Sequence, residues 1–242
     1  MGLIYVAATC IALATLGVRL ALAKKATFIS RINQPISPTS TIITFDIHGV
    51  LFNPNWAEIF QQLWRNKKSL SLLIYVFNPW FIYDFFVLLK QGAVPEAFIL
   101  HFAHKYSYFR KYKNFVLTIA NTQKPIVSTI DLTKELKKKG YPIHIFSNIG
   151  AILYQDLAKK HPAIFNLFDA VYVPSVENQY RGKRHKKTFF AYLALCNPKH
   201  KQVIFVDNNM SNVKKADRIG IVAIRYNNTN ELAQVFNRLH II

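Results

Sequence analysis

Cysteine is nearly absent from this chain: among 242 residues there are two, Cys10 and Cys196. That excludes a disulfide framework and any metal centre built on thiolates, and it fits a reducing compartment. Acidic residues are scarce as well, 12 Asp and Glu against 31 Lys and Arg, for a formal charge of +19. Such an imbalance predicts attraction to anionic surfaces, either nucleic acid or acidic lipid. The Gly, Ser and Arg richness of disordered RNA-binding tails is missing; instead 51% of the residues are hydrophobic, with 19 Phe and 12 Tyr. Cationic charge combined with apolar character points to a membrane surface ahead of nucleic acid. No internal repeat, low-complexity tract, RNP-like, KH-like or zinc motif occurs.

A chain of this length buries a real core, and one medium domain with an insertion is the expected organisation. Residues 2–18 carry no charge, and the apolar character continues past Arg19 to Ala23, followed by Lys24 and Lys25. A helix there would cross a hydrocarbon core of about 30 Å if Arg19 snorkels. The lack of a positive segment ahead of it argues against a secretory signal, although Ala21-Leu22-Ala23 has the small-residue spacing of a cleavage site. Residues 1–25 are therefore read as a membrane anchor whose basic flank keeps the rest on the cytoplasmic side, with secretion after signal cleavage as the alternative. Residues 26–41 read as a linker with two prolines, Pro35 and Pro38, and no periodicity.

From there on, short apolar runs alternate with helical patterns. Strands are predicted at 41–45, 141–146, 170–173, 202–206 and 221–224, and helices at 128–139, 150–160, 186–195, 212–219 and 230–239. This rhythm predicts an α/β fold, a Rossmann-like parallel sheet with helices on both faces, formed by residues 42–52 and 125–242. Residues 53–124 interrupt it with helical periodicity and read as an inserted helical cap. Within the cap, residues 70–89 are nearly as apolar as the N-terminus but are broken by Asn78, Pro79 and Asp84. Three readings are open: a second span, amphiphilic helices with an aromatic face in the lipid interface, or an ordinary aromatic cap core. Further on, Lys105, Arg110, Lys111 and Lys113 interleave with Tyr106, Tyr108, Phe109 and Tyr112, giving a solvated or membrane-facing basic surface.

In a parallel sheet the ligand site lies beyond the carboxyl ends of the strands, where Asp46, Ser147 and Asp207 stand. A carboxylate can attack a phosphoryl centre and divide one hard displacement into two. The sequences DIHGVL at 46–51, FSN at 146–148, a basic cluster around Lys183, and VDNNMSNV at 206–213 occur in order at those strand ends. Together they resemble the haloacid dehalogenase-like (HAD) hydrolase superfamily of the C1-capped type, over residues 42–240. The resemblance implies a catalytic set of Asp46 as nucleophile, Ser147 as donor to a phosphoryl oxygen, and a lysine that neutralises developing charge. It also implies Mg2+ held by Asp46, the backbone carbonyl of His48, Asp207 and Asn208. Ser147, Asn148 and Lys186 are the expected substrate contacts.

Three departures from the family pattern stand out. The usual Lys-Pro pair is missing, so Lys183, Arg184, Lys186 and Lys187 compete for one role, with Lys183 preferred and Lys186 second. His48 occupies the place of a second aspartate that serves as acid and base, and imidazole can in principle do both. Asn208 replaces a common acidic residue, which weakens Mg2+ binding. The resulting expectation is a Mg2+-dependent phosphatase working through an aspartyl phosphate on a phosphorylated small molecule or lipid head group. The alternatives are a degenerate binding protein at a membrane surface, chemistry on a non-phosphate substrate, and nucleic-acid binding.

Overall fold

The computed structural model describes residues 28–30, 35–65, 78–91 and 93–242. The apolar N-terminal helix and anchor expected at 1–25 lie outside the described residues, as does the 70–77 part of the second apolar segment. Among the described residues no helix is long and apolar enough to cross a membrane.

Five short strands form one parallel sheet. They are β1 (Thr41–Phe45), β4 (Ile143–Phe146), β5 (Ala170–Tyr172), β6 (Gln202–Asp207) and β7 (Val222–Arg225), in the order β5-β4-β1-β6-β7. All five residues of β1 are buried, as a central strand covered on both faces requires. Ile43 and Phe45 face a core closed by helices α6 (Val127–Lys138), α7 (Ala151–Lys160) and α11 (Thr229–Arg238), through Leu136, Leu157 and Phe236 among others. Ile42 and Thr44 face the opposite layer, α9 (Lys186–Cys196) and α10 (Met210–Asp217), which contributes Phe189, Tyr192 and Val213. A short helix α8 (Pro162–Phe165) completes the α/β part.

Tyr192 ties that second layer to the sheet. Its hydroxyl lies 2.6 Å from Thr44 Oγ1 and 3.2 Å from His144 Nδ1. Burial pulls the His144 pKa down to about 4, against the opposing charge of Asp169 and with help from Lys137 and Lys201. The unfolded chain titrates this group near 6.5, so between pH 6.5 and 4 the unfolded state holds the extra proton. The His144 contribution to stability is complete above pH 6.5 and is lost as pH falls toward 4, by up to about 3 kcal/mol. Denaturant unfolding across that window is expected to show the decline, and a shallower one for His144→Gln.

Residues 28–30, expected to be part of a linker, are instead a partner of the sheet edge. Ile29 bridges Ile224 in the antiparallel sense, Ser30 N donates to Ala223 O (3.0 Å) and Ala223 N to Ser30 Oγ (2.9 Å). The open edge of β7 offers the unpaired backbone groups that draw such a segment in.

The insertion leaves and re-enters the core through an antiparallel pair, β2 (Phe52–Pro54) and β3 (Gln123–Pro125). Between them lie α1 (Trp56–Arg65), α2 (Pro79–Gln91), α3 (Pro95–Lys105), α4 (Ser107–Arg110) and α5 (Lys113–Ala120). Asn78 and Pro79 mark a helix start: Asn78 Oδ1 accepts from the backbone N–H of Trp80 (3.0 Å) and Phe81 (3.2 Å), and proline takes the first helical position. Phe81 stacks on Phe102 at 4.0 Å, and Asp84 turns inward to accept from Lys105 Nζ and the Tyr106 hydroxyl, each at 2.8 Å. One face of α2 is thus cap core, and its opposite face is exposed.

Candidate active site

The ends of three neighbouring strands, β4, β1 and β6, meet at one edge of the sheet. Asp46 follows β1 and its N–H still completes the ladder to Val206 O (2.9 Å); Asp207 is the last residue of β6, and Ser147 follows β4. Asp46 Oδ1 accepts from the Ile47 N–H at 2.8 Å, which aims Oδ2 across the strand ends. The chain then turns at Gly49, whose φ of +73° suits a residue without a side chain. A Cβ at Gly49 would fall 2.1 Å from Asn208 Nδ2, so Asn208 can lie against this turn only because residue 49 is glycine.

Lys183 connects the two carboxylates. It is wholly buried, and its Nζ donates to Asp207 Oδ2 (2.5 Å), Asp46 Oδ2 (3.0 Å) and Phe146 O (3.1 Å), so all three donors are used. Its backbone is fixed by Asn148 Oδ1, which accepts the Lys183 N–H at 2.7 Å. Burial alone would lower the lysine pKa, but the Asp207 and Asp46 carboxylates outweigh it and raise it. Asp207 is pushed up to about 6, mainly by burial and further by the charge of Asp46, against the pull of Lys183. Its other contacts are the Asn209 N–H at Oδ1 (2.7 Å) and Asn212 Nδ2 at Oδ2 (3.0 Å).

Two carboxylates and one ammonium leave this buried cluster with one excess negative charge when all are ionised. The donor chemistry fits a hard cation such as Mg2+: the Asp46 and Asp207 oxygens, the His48 carbonyl and the Asn208 amide oxygen. Among the described residues no group of three or more His, Cys, Asp or Glu side chains converges, so the remaining ligands would be neutral oxygens and water.

The other expected residues divide. Ser147 is buried, and its Oγ accepts from the Ile149 N–H (3.3 Å) while its hydroxyl proton stays available. Asn148 Oδ1 positions Lys183, and its amide Nδ2 remains for the substrate contact expected of it. Lys186, the second candidate for the lysine role, stands exposed in the first turn of α9 with Lys187, Arg184 is exposed just before that helix, and none of the three bonds either carboxylate. His48 is half-buried, with its Nε2 2.6 Å from Gln123 Nε2, while the buried Gln123 Oε1 lacks a partner. The reverse amide orientation gives Oε1 the ring N–H and leaves His48 Nδ1 as the acceptor. Burial, and then Lys183, hold the His48 pKa down to about 4, so the ring is neutral at pH 7.

One group was not anticipated from sequence. Glu96, in the first turn of α3, is wholly buried and its Oε2 accepts the Leu153 N–H at 2.9 Å. Helix α7 has glycine at its N-cap, so the cap domain supplies the side chain that its own sequence lacks. A Cβ at Gly150 would meet Glu96 at 2.4 Å, which is why the two pair. Beside it Ala93 bridges Arg181, two residues from Lys183. Glu96→Ala is expected to lower unfolding free energy by about 1–2 kcal/mol, with a smaller loss for Glu96→Gln, which keeps an acceptor. Asp46 is only 6% exposed and Ser147 1%, so the site is enclosed in this conformation.

A model of the haloacid dehalogenase-like hydrolase family matches residues 41–220. No curated protein matches the sequence. Solved structures share the fold at low identity. The HAD-hydrolase YfnB from Bacillus subtilis, bound to magnesium, is 11% identical with a TM-score of 0.60, covering 84% of this chain and 100% of that one. A variant of HAD family enzyme BT-2542 from Bacteroides thetaiotaomicron, in complex with magnesium and inorganic phosphate, is 17% identical with a TM-score of 0.53, covering 76% of this chain and 93% of that one. The L-2-haloacid dehalogenase from Xanthobacter autotrophicus is 18% identical with a TM-score of 0.50, covering 76% of each. Strand order, the inserted helical cap and the carboxylates at adjoining strand ends agree with the family match over most of its length, and this chain belongs to the haloacid dehalogenase-like hydrolases.

Proposed function

We propose that this hydrolase is a Mg2+-dependent phosphoric monoester hydrolase acting through an aspartyl phosphate at Asp46. The observation that supports this most is the sharing of the Lys183 ammonium between Asp46 Oδ2 and Asp207 Oδ2. A lysine so placed lies beside any phosphoryl group that Asp46 attacks and balances the charge developing on its oxygens. The Asp46 carboxylate forms a bond to phosphorus as the ester oxygen leaves. Water then attacks phosphorus, the acyl phosphate P–O bond breaks, and inorganic phosphate departs with Asp46 restored. Ser147 offers its hydroxyl proton to a phosphoryl oxygen. Mg2+, held by Asp46, Asp207, Asn208 and the His48 carbonyl, would supply charge neutralisation at the phosphate. The excess of basic residues favours an anionic substrate, a phosphorylated small molecule or lipid head group.

His48 departs from this scheme. A neutral imidazole whose one N–H is engaged by Gln123 is a poor acid towards an alkoxide leaving group, though its other nitrogen can accept a proton from water. His48→Asp is accordingly expected to raise kcat on an alkyl phosphate by roughly 10²-fold while changing aryl phosphate turnover much less. Equal effects on both substrates would remove residue 48 from proton transfer.

Turnover of an aryl phosphate with Mg2+ in water enriched in ¹⁸O tests the reaction class. The label is expected in inorganic phosphate and not in Asp46, because water attacks phosphorus. Attack at the carbonyl carbon would instead place the label in Asp46, as it would for the alkyl ester formed from a 2-haloacid, the substrate that tests a dehalogenase reading. Absence of turnover at any Mg2+ concentration would favour a binding protein that retains the fold.

A further inference from the structure

Two helices of the cap, α1 and α2, each carry an exposed aromatic side that the cap core does not use. On α1, Trp56, Phe60 and Trp64 recur every fourth residue along one side, 62%, 65% and 87% exposed, while Ile59 alone among the described α1 side chains is buried. On α2, Phe81 and Asp84 face the cap core, and Trp80, Tyr83 and Phe86 stand outward at 71%, 62% and 54% exposure. These six positions include every tryptophan of the chain, Trp56, Trp64 and Trp80. Aromatic exposure on this scale marks an interaction surface on a soluble fold.

Charge selects the partner. Residues 53–124 contain nine Lys or Arg and three acidic residues, Glu58, Asp84 and Glu96. Asp84 is neutralised by Lys105 and Glu96 is buried against the core, which leaves Glu58 as the one exposed acid among the described cap residues. Lys67 and Lys68 lie in the sequence that joins the two aromatic helices. A second copy of a chain with net charge +19 would be repelled, whereas an anionic surface complements it. Trp and Tyr are the side chains that settle at the head-group level of a bilayer, and exposed apolar residues beside lysines are the usual composition of an interfacial helix.

We propose that the cap docks peripherally on an anionic lipid bilayer, with the outer faces of α1 and α2 seated in the head-group region. This docking is independent of the phosphatase reading and of residues 1–25. Because all three tryptophans lie on these faces, intrinsic fluorescence of the full-length protein reports on them and not on the N-terminus. The probes are phosphatidylcholine vesicles with and without phosphatidylserine, each prepared with and without brominated acyl chains. In buffer the emission is expected to be that of water-exposed indole. Vesicles containing phosphatidylserine should shift it to shorter wavelength, and brominated chains should quench it, with at least about tenfold more lipid needed when phosphatidylserine is omitted. Trp80→Ser combined with Tyr83→Ser and Phe86→Ser, all exposed positions, should weaken the quenching of the remaining tryptophans by a similar factor. Several results would overturn the proposal: no vesicle binding, or unshifted and unquenched emission from protein that sediments with vesicles. Blue-shifted emission in buffer alone would likewise overturn it, assigning the face to a second copy if dilution reverses the shift and to the chain itself if not. A spectral response to single-stranded oligonucleotide but not to vesicles would assign the face to nucleic acid.

Discussion

Lys183→Met should cost the fold about 3–5 kcal/mol and lower turnover by about 10²–10³-fold. Both effects come from one atom. Its Nζ is the sole cation bonded to the Asp46 and Asp207 carboxylates among the described residues, and it is fully enclosed by Phe146, Phe205 and the strand ends. Without it two carboxylates face each other in a buried site, and one must protonate or the region must open. Mg2+ can replace part of the missing charge. Added Mg2+ should therefore raise the unfolding temperature of the variant more than that of the wild type, while activity stays low because the charge beside the phosphoryl oxygens is not restored. Denaturant unfolding with and without Mg2+ measures the first effect. Wild-type stability in Lys183→Met would mean that the observed ion pairs do not hold the site together.

Asp46→Asn has the opposite balance. Turnover should fall on the order of 10⁵-fold, since an amide cannot form the acyl phosphate. Stability should hold or rise, because removing one carboxylate leaves Lys183 and Asp207 as a neutral pair. The two variants together separate roles: Lys183 serves stability and reaction alike, and Asp46 is a strain that only the reaction justifies. Parallel losses of stability in both would argue that Asp46 is a structural strand-end residue.

Much of this arrangement is legible in the sequence. Runs dominated by β-branched and aromatic residues, such as TIITF and QVIFV, can be buried on both faces, and the helical patterns between them point to a parallel sheet, so the shared edge of Asp46, Ser147 and Asp207 follows. Boundaries moved where local chemistry decided them: α10 begins at Met210 because Asn209 Oδ1 accepts the Ser211 N–H at 2.9 Å, two residues before the periodic pattern starts. Sequence favours Lys183 over Arg184, Lys186 and Lys187 only as a preference, because what separates them is loop depth, which Asn148 sets from a distant strand end. Glu96 was hidden for a similar reason. A glutamate early in a helix looks like an ordinary first-turn acid, and its service to α7 depends on the cap folding back 57 residues along the chain. The contact between His48 and Gln123 likewise spans the whole insertion and exists only because β2 and β3 bring its ends together.

The central assignment is a covalent phosphoryl intermediate on Asp46, and chemical trapping tests it most directly. Full-length protein turning over an aryl phosphate with Mg2+ is quenched rapidly into borohydride, which reduces an acyl phosphate to an alcohol, and the peptide containing residue 46 is examined by mass spectrometry. The expected result is homoserine at position 46 in the substrate-treated sample and aspartate in the sample without substrate. Unmodified aspartate at 46 in protein that is releasing phosphate would contradict it.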